Sequence, residues 1–504
     1  MTPPYIMLTN IFGRISMNEK RTKHLEALFF LAVFVFFYLW FTRVHPLVIF
    51  DADDWTYLVP DRKAWPIIGE WNPAKVFPEV FMPFCSTVGA WLLMPVLKDY
   101  ITVMTVTHGF VVSVFLTGYT VCFSRLLKRL FGTKGAGLIY SGTLFLLLHF
   151  LALRSNQENN SYLFLCEDVN CYYNYLIPGV LNAGIVMTLV KNSSFEAFLR
   201  GENHAGKGLF LLLLYMAIFS NLVDSIILAV YAGSVLLVGL LKEIKSFSLK
   251  TYLRKFAFPL ILFAVWLLSA LFELTGGRMT TSEGVSGSLL VNLKDSLFYL
   301  KEMLLHCNGL FLGVCVLILA AAAFVWYQDR DKEFASLVIL WAVGVAAVTV
   351  VMTALCAMVD PLYMMRSEYL FGIFFYCLVL VMLGFGYLLQ KQPRLLVILP
   401  ILLCVLLSET NTKGHTFREA NMENLAPEVC AEISRCLVEQ VVEADRQGLT
   451  EMELHVPKWE SSDNWPHATV LMHRIAYPLR EHGLISKAIA VDPVPDWDVS
   501  EIIP

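Results

Sequence analysis

Three carboxylates lie within four residues in the run Phe50-Asp51-Ala52-Asp53-Asp54-Trp55. Like charges this close repel one another, and at the edge of a membrane they stay ionised only with water, a cation or an arginine nearby. Three roles suit them: a general base for a hydroxyl nucleophile, a metal site in which Asp51 and Asp53 bind a hard divalent cation, or both. The alternative is a solvated helix end without chemistry, and the charges alone favour neither interpretation.

The acids directly follow a long apolar run that begins at Leu25. Of the 504 residues, 57% are hydrophobic and 16% charged, whereas about a quarter of the residues of a soluble protein are charged. The apolar residues come in runs of about 16 to 22, the length of a helix that crosses a bilayer. We therefore predict an all-α polytopic membrane protein with about eleven transmembrane helices. The predicted helices are 25–48, 100–123, 136–153, 175–190, 208–222, 225–241, 256–274, 307–327, 335–355, 369–390 and 395–408.

Basic residues mark alternate loops, as with Arg125, Lys128 and Arg129 after the second predicted helix. The positive-inside rule makes these loops cytoplasmic, so the N-terminus is cytoplasmic and an odd number of helices puts the C-terminal end outside. The lipid bilayer is the predicted environment. The net charge of −4 argues against a nucleic-acid partner.

The chain divides into a membrane domain, residues 1–408, and a polar C-terminal domain, residues 409–504. Within the first, the outer loops 49–99 and 275–305 are long, and we predict interfacial helices in both. In the second, a helical pattern is followed by a strand, a helix and a strand, which predicts a small α/β domain outside the membrane. Cys166 and Cys171 share an outer loop, and the sequence leaves open whether they form a disulfide.

A first helix leading into an outer loop with paired acids, a long aromatic and proline-rich first loop, and a C-terminal outer domain together resemble the GT-C superfamily of integral membrane glycosyltransferases. The likeness is to bacterial branches that are uncharacterised and to the O-antigen-modifying glucosyltransferases, and its motif is Asp51 to Trp55. The resemblance implies a multi-pass enzyme of the cell (inner) membrane. Such an enzyme transfers a sugar from a polyprenyl-phosphate donor to a glycan, lipid or protein acceptor on the outer face. It also implies that Asp53 or Asp54 acts as catalytic base or helps bind Mg²⁺ or Mn²⁺.

A polyprenyl-phosphate leaving group gains negative charge as the glycosidic bond breaks, so cations should lie nearby, preferably arginines. Three outward-facing arginines are candidates for the donor phosphate: Arg366 at the start of the tenth helix, Arg154, and Arg278 in a glycine-rich loop. Each has an alternative interpretation, because an arginine at a helix end often extends to lipid headgroups.

Sugars are expected to meet aromatic faces and polar side chains. The candidates for sugar or acceptor binding are Trp55, Tyr57, Tyr172, Tyr173, Glu158 and Glu368. For the tyrosines, the aromatic belt of a membrane protein is the competing interpretation. Glu158, Glu167 and Asp168, in the second outer loop, are candidates for a second acid.

Other functions remain open. A transporter or flippase would carry ionisable residues near the bilayer centre and repeated halves, and no such halves are evident. A surface polysaccharide polymerase would share the lipid carrier, but it would concentrate Arg and His in a large late outer loop. A scaffold without catalytic activity is the third alternative.

Overall fold

The computed structural model describes residues 19–60, 73–153, 162–192, 198, 201, 203–275, 288–412, 425–459 and 465–499. Most of these residues are helical. The helices are α1 (Glu19–Leu39), α2 (Ala52–Thr56), α3 (Met82–Leu97), α4 (Tyr100–Phe131), α5 (Ala136–Leu151), α6 (Ile177–Leu189), α7 (His204–Ile218), α8 (Leu222–Glu243), α9 (Leu249–Lys255), α10 (Ala257–Thr275), α11 (Leu289–Leu305), α12 (Gly309–Asp329), α13 (Lys332–Val359), α14 (Ser367–Lys391), α15 (Leu399–Thr412), α16 (Pro427–Arg446), α17 (Thr469–Met472) and α18 (Ala476–Glu481). Two strands complete the structure: β1 (Glu451–Pro457) and β2 (Ala490–Trp497).

The chain is an all-α polytopic protein, but the predicted count of eleven crossings is not supported. Every predicted segment is helical. Within the described residues, however, only eight helices are long and apolar enough to cross a membrane. Four predicted crossings correspond to the shorter helices α5, α6, α7 and α15, of 16, 13, 15 and 14 residues.

The eighth candidate span is Phe77–Leu97, which we had assigned to the outer loop 49–99. Its prolines suggested turns, yet Pro78 lies in the first turn of the helical segment, where a missing N–H costs nothing. Pro83 lies just after the π-helical turn Phe77–Phe81. Helices α3 and α4 run antiparallel and form a tight hairpin. At Gly89 a Cβ atom would lie 2.2 Å from Thr107 Oγ1, so only glycine allows this approach.

Three π-helical turns occur in the first half of the chain: Trp40–Val44 after α1, Phe77–Phe81 before α3, and Tyr172–Leu176 before α6. Such turns contain one extra residue per turn and often lie next to functional sites, because they redirect the side chains that follow. Two of them adjoin the loops that carry the acids. The loop after α1 and the loop before α6 are thereby brought together.

The C-terminal residues 425–499, called here the C-terminal unit, pack onto the loop that follows α1. The strands β1 and β2 are parallel, with α17 and α18 between them in the chain. Ser434 Oγ donates to the carbonyl of Ile49 at 2.6 Å, and the amide of Ala52 donates to the carbonyl of Pro466 at 2.8 Å. The acidic loop and the C-terminal unit therefore share one end of the helix bundle, called below the acidic end.

Candidate functional site

Backbone amides hold two of the three aspartates of the first loop, Asp51 and Asp54. Asp51 caps α2, and its Oδ1 accepts from the amide of Asp53 at 2.9 Å. Asp54 Oδ2 accepts from the amides of Phe50 at 3.1 Å and Asp51 at 3.3 Å, while its Oδ1 accepts from the amide of Asn170 at 2.7 Å. Both oxygens of Asp54 are therefore engaged. Its carboxylate joins the first acidic loop to the loop before α6.

The loop before α6 contributes a further carboxylate, Asp168, which is half-buried. It caps a single turn, Val169–Cys171, and accepts from the amide of Cys171 at 2.5 Å. Burial raises the pKa of Asp51 and Asp54 well above the usual value, and the negative charge of Asp168 raises both further. Burial, together with the charge of Asp53, raises the pKa of Asp168 to about 7. Carboxyls that exchange a proton near neutral pH are suited to general acid and base catalysis.

A cavity of about 30 Å³ lies between these two loops and the C-terminal unit. It is called here the acid cavity. Its lining residues are His45, Pro46, Leu47, Val48, Phe50, Asp51, Asp54, Cys166, Glu167, Asp168, Val169, Tyr172, Pro427 and Cys430. A single water needs roughly 10–15 Å³ of such space, so the cavity has room for about two waters. In this conformation it is closed to a sugar.

Arg366 lies next to the acid cavity in a cluster of carboxylates and rings. Its Nε donates to Glu368 Oε1 at 2.6 Å, and Nη2 lies 3.2 Å from Glu167 Oε2. The Glu368 side chain is only 5% exposed, whereas that of Glu167 is 47% exposed. The rings of Tyr175, Tyr363 and Tyr369 have centroids 5.7–5.9 Å from the guanidinium. Burial opposes the positive charge, but both carboxylates raise the pKa of Arg366, so the group stays charged.

The predicted aromatic contacts for a sugar are mostly inside the protein. Trp55, Tyr172 and Tyr173 are each at most 1% exposed. Trp55 stacks on Tyr100 with ring centroids 6.2 Å apart, while Tyr57 is half-buried. In this conformation the three buried rings offer no face to a ligand, and their sugar-binding role stays a prediction. The remaining candidates, Arg154, Glu158 and Arg278, lie outside the described residues.

The sequence predicted a metal site formed by Asp51 and Asp53. In the part of the chain that the structure describes, no group of three or more His, Cys, Asp or Glu side chains is placed to hold a metal ion. Asp51 Oδ1 is committed to the amide of Asp53, and Asp53 lies outside the set that lines the cavity. The metal-binding role of Asp51 and Asp53 stays a prediction. All eleven cysteines are free thiols, Cys166 and Cys171 included.

Sequence reasoning missed the contribution of the C-terminal unit to this site. His467 Nδ1 accepts from the indole of Trp459 at 3.1 Å, and its Nε2 donates to the carbonyl of Phe50 at 2.9 Å. Burial lowers the pKa of His467 to about 4, so the ring is neutral. A histidine 417 residues away in the chain gives no local signal for such a contact.

The buried carboxylate of Asp224 is a second unexpected feature. It lies in the first turn of α8 and is 1% exposed. Among the described residues neither of its oxygens has a hydrogen-bond partner. The only sequence signal is a charged residue that interrupts an apolar run.

Neither a protein-family model, nor a curated protein, nor a solved structure matches this chain. The resemblance to membrane glycosyltransferases therefore depends on this chain's own residues and topology.

Proposed function

We propose that the chain is a membrane glycosyltransferase that moves a sugar from a polyprenyl-phosphate donor to an acceptor hydroxyl at the acidic end. One observation carries the proposal: two loops far apart in the sequence bring Asp51, Asp54 and Asp168 to a single cavity. The positively charged Arg366 lies beside this cavity and forms an ion pair with Glu167, which lines it. Buried acids beside an arginine match the needs of a reaction that releases a lipid phosphate.

In the proposed reaction Asp168 is the general base, and Asp51 beside it tunes its proton affinity. The acceptor oxygen bonds to the anomeric carbon, and its proton passes to the carboxylate of Asp168. The bond from that carbon to the phosphate oxygen breaks, and its electron pair leaves with the polyprenyl phosphate. Asp54, whose oxygens are held by three backbone amides, is a positioning residue. This assignment differs from the one the resemblance implies, which placed the base at Asp53 or Asp54.

Arg366 receives the phosphate by exchanging one partner. Glu167 is the exposed one of its two carboxylates and Glu368 the buried one. A phosphate can therefore replace Glu167 while Glu368 keeps the guanidinium in place, since Arg binds both groups in the same planar geometry. Access of the donor to a cavity of about 30 Å³ also requires Pro427 and Cys430 of the C-terminal unit to move aside.

The test is a transfer assay with purified full-length protein in nanodiscs and radiolabelled polyprenyl-phosphate sugars. We expect Asp168→Asn to lose transfer by about 10²–10⁴-fold, the usual contribution of a general base. Asp51→Asn should give a smaller loss, because Asp51 tunes the base and does not itself take the proton. Asn preserves the capping function at both positions. Asp53→Asn is the comparison on the same loop: it removes a charge that raises the pKa of Asp168, so it should shift the pH profile to lower pH and keep the rate above pH 7 to within a few-fold. Full activity in both cavity variants would refute the mechanism, and loss in Asp53→Asn alone would return the base to Asp53.

One observation favours a second candidate, a proton-coupled transporter. Asp224 places a carboxylate with no described hydrogen-bond partner inside a candidate spanning helix, and such residues often mark ion or proton pathways. Its electrostatic neighbour is Glu368, on the adjacent helix α14. Reconstituted vesicles that move a lipid-linked sugar without breaking a bond, and that fail to do so with Asp224→Asn, would favour this candidate over the transferase.

A further inference from the structure

A second cavity, of about 560 Å³, opens between the tip of the α3–α4 hairpin and the C-terminal unit. It is called here the hairpin cavity. Its lining residues are Met94, Lys98, Asp99, Tyr100, Ile101, Arg435, Val438, Glu439, Val442, His482, Gly483 and Leu484. Pockets of roughly 300–1,000 Å³ suit small-molecule ligands, so this cavity has room that the acid cavity lacks.

Hydrogen bonds between the two regions fix the walls of the hairpin cavity. The hydroxyl of Tyr100 lies 2.8 Å from His482 Nδ1, and both side chains are buried. Asp99 Oδ2 lies 3.0 Å from Arg435 Nη2, which joins the base of α4 to α16. The space between the walls is therefore a feature of the fold that does not depend on one side chain.

The charges that line the hairpin cavity cancel. Arg435 is paired with Asp99, and Lys98 on the hairpin faces a cavity whose other wall carries Glu439. Burial lowers the pKa of His482 to about 4, so its ring adds no charge at neutral pH. Because the lining charges already balance one another, a ligand with a net charge would find no lining charge free to compensate it. The lining therefore suits an uncharged ligand with hydroxyl groups.

An aromatic ring and an apolar strip lie on α3 about one turn before the lining residue Met94. Trp91 precedes Met94 by three residues, so the two share one face of α3. The side chain of Trp91 is 66% exposed, and Leu92 and Val96 beside it are exposed as well. A flat aromatic surface next to polar groups favours stacking of a sugar ring, while the apolar strip favours a ligand that also carries a hydrocarbon portion.

We propose that the hairpin cavity is the acceptor site and that it binds the uncharged glycan of an amphipathic acceptor. This inference rests on the proposed function. The cavity adjoins the acids, since Tyr100 in its wall stacks on Trp55, the residue after Asp54. The glycan stacks on Trp91 and bonds to the polar groups of both walls, and its apolar portion lies along α3.

The experiment measures binding of heptyl glucoside, heptyl galactoside and heptyl mannoside to the full-length protein in nanodiscs by saturation-transfer NMR. Heptyl phosphate and heptyltrimethylammonium are the charged comparisons, free glucose tests the need for an apolar portion, and empty nanodiscs give the background. We expect saturation of the sugar-ring protons of at least one heptyl glycoside above that background. Neither charged probe nor free glucose should show it.

Two exposed aromatic residues provide a matched pair of variants. Trp91→Ala should weaken glycoside binding by about tenfold, the size expected for a lost stacking contact. Phe324→Ala, on α12 and 65% exposed, should bind as the wild type does. Val442→Trp, which fills the cavity, should abolish binding, while Glu443→Trp on the exposed face of α16 should not. A thermal unfolding curve for each variant separates lost binding from lost folding.

The outcomes distinguish this inference from the proposed function. If transfer depends on Asp168 but Trp91→Ala and Val442→Trp leave both glycoside binding and the KM for acceptor unchanged, the acceptor site lies elsewhere and this inference is wrong. If the glycosides bind as expected but transfer is insensitive to Asp51→Asn and Asp168→Asn, the transferase mechanism fails and the hairpin cavity remains a glycan site. Preferential binding of either charged probe would also overturn the inference.

Discussion

The acid cavity and the hairpin cavity are built on opposite principles. The acid cavity is about 30 Å³ and holds three carboxyls whose pKa values are raised, two of them buried. The hairpin cavity is about 560 Å³ and its charges cancel. Reactive groups gain from exclusion of water, because low polarity shifts their proton affinity, but a binding surface gains from access. The C-terminal unit forms one wall of each cavity, so the same unit couples the two.

The pH dependence of transfer should show the largest difference between the cavities. The raised pKa of Asp168, about 7, means that its base form is lost as pH falls below 7. The rate should therefore drop about fiftyfold between pH 7 and 5, with a slope approaching tenfold per pH unit below pH 6. Glycoside binding at the hairpin cavity should stay constant over that range, because His482 titrates near 4. Initial rates and NMR binding in the same buffers test this, and a flat rate profile would contradict the role of Asp168.

Asp54→Asn should have the next largest effect, on stability. Three backbone amides donate to the Asp54 carboxylate, and an Asn amide leaves at least one of them without an acceptor. We expect a loss of about 3 kcal/mol in the free energy of unfolding. Asp51→Asn, which keeps its capping bond, should stay within about 1 kcal/mol of the wild type.

Equilibrium unfolding in mixed micelles measures both variants, with the reactivity of the buried cysteines as the signal. Equal destabilisation by the two substitutions would show that Asp54 is not the main connection between the loops.

Gly89→Ala should act on the hairpin cavity and leave the acid cavity intact. The new Cβ would meet Thr107 Oγ1 at 2.2 Å and push α3 away from α4, at a cost of about 1–3 kcal/mol. Glycoside affinity should fall because Trp91 and Met94 move with α3. Thr107→Ala in the same chain removes the closest clashing atoms and should restore part of both losses, whereas failure of this rescue would place the defect elsewhere.

Arg435→Gln should give the smallest effect on stability. The Arg435–Asp99 pair is about one-third exposed, and such pairs contribute about 0–1 kcal/mol. The substitution leaves the lining of the hairpin cavity with one uncompensated negative charge. Heptyltrimethylammonium should then bind where it did not before, and NMR titration measures the change. Continued exclusion of this cation would show that charge balance does not set the selectivity.

The sequence predicted most of the helices because hydrocarbon thickness imposes a length on every apolar run. It assigned α3 to a loop, since Pro78 and Pro83 were interpreted as turn residues, although Pro78 fits the start of a helix and Pro83 lies just after a π-helical turn. The number of membrane crossings was predicted less well than the helices themselves. For a short helix such as α6, with 13 residues, the sequence predicts the helix but not whether it crosses the membrane.

For the candidate site, the sequence identified the acids but not how they divide their roles. Asp51, Asp53 and Asp54 look equivalent in the chain, yet the backbone amide of Asn170, 116 residues away, makes Asp54 a structural link. The importance of Asp168 likewise depends on the approach of two loops. Partners so distant in sequence leave no local pattern. The sequence therefore identified Arg366, but it could not show that Glu368 is its buried partner and Glu167 its exposed one.

The acidic loop donates a hydrogen bond to Pro466 and accepts one from His467, and these contacts have a consequence for biosynthesis. The ribosome finishes α1 and its loop long before it makes these two residues, so the loop must wait without its final partners while the rest of the bundle inserts. A chain truncated before residue 425 would still place its apolar helices in the bilayer. Its acid cavity would lack the wall that the C-terminal unit supplies, so the proposed transfer should require the whole polypeptide.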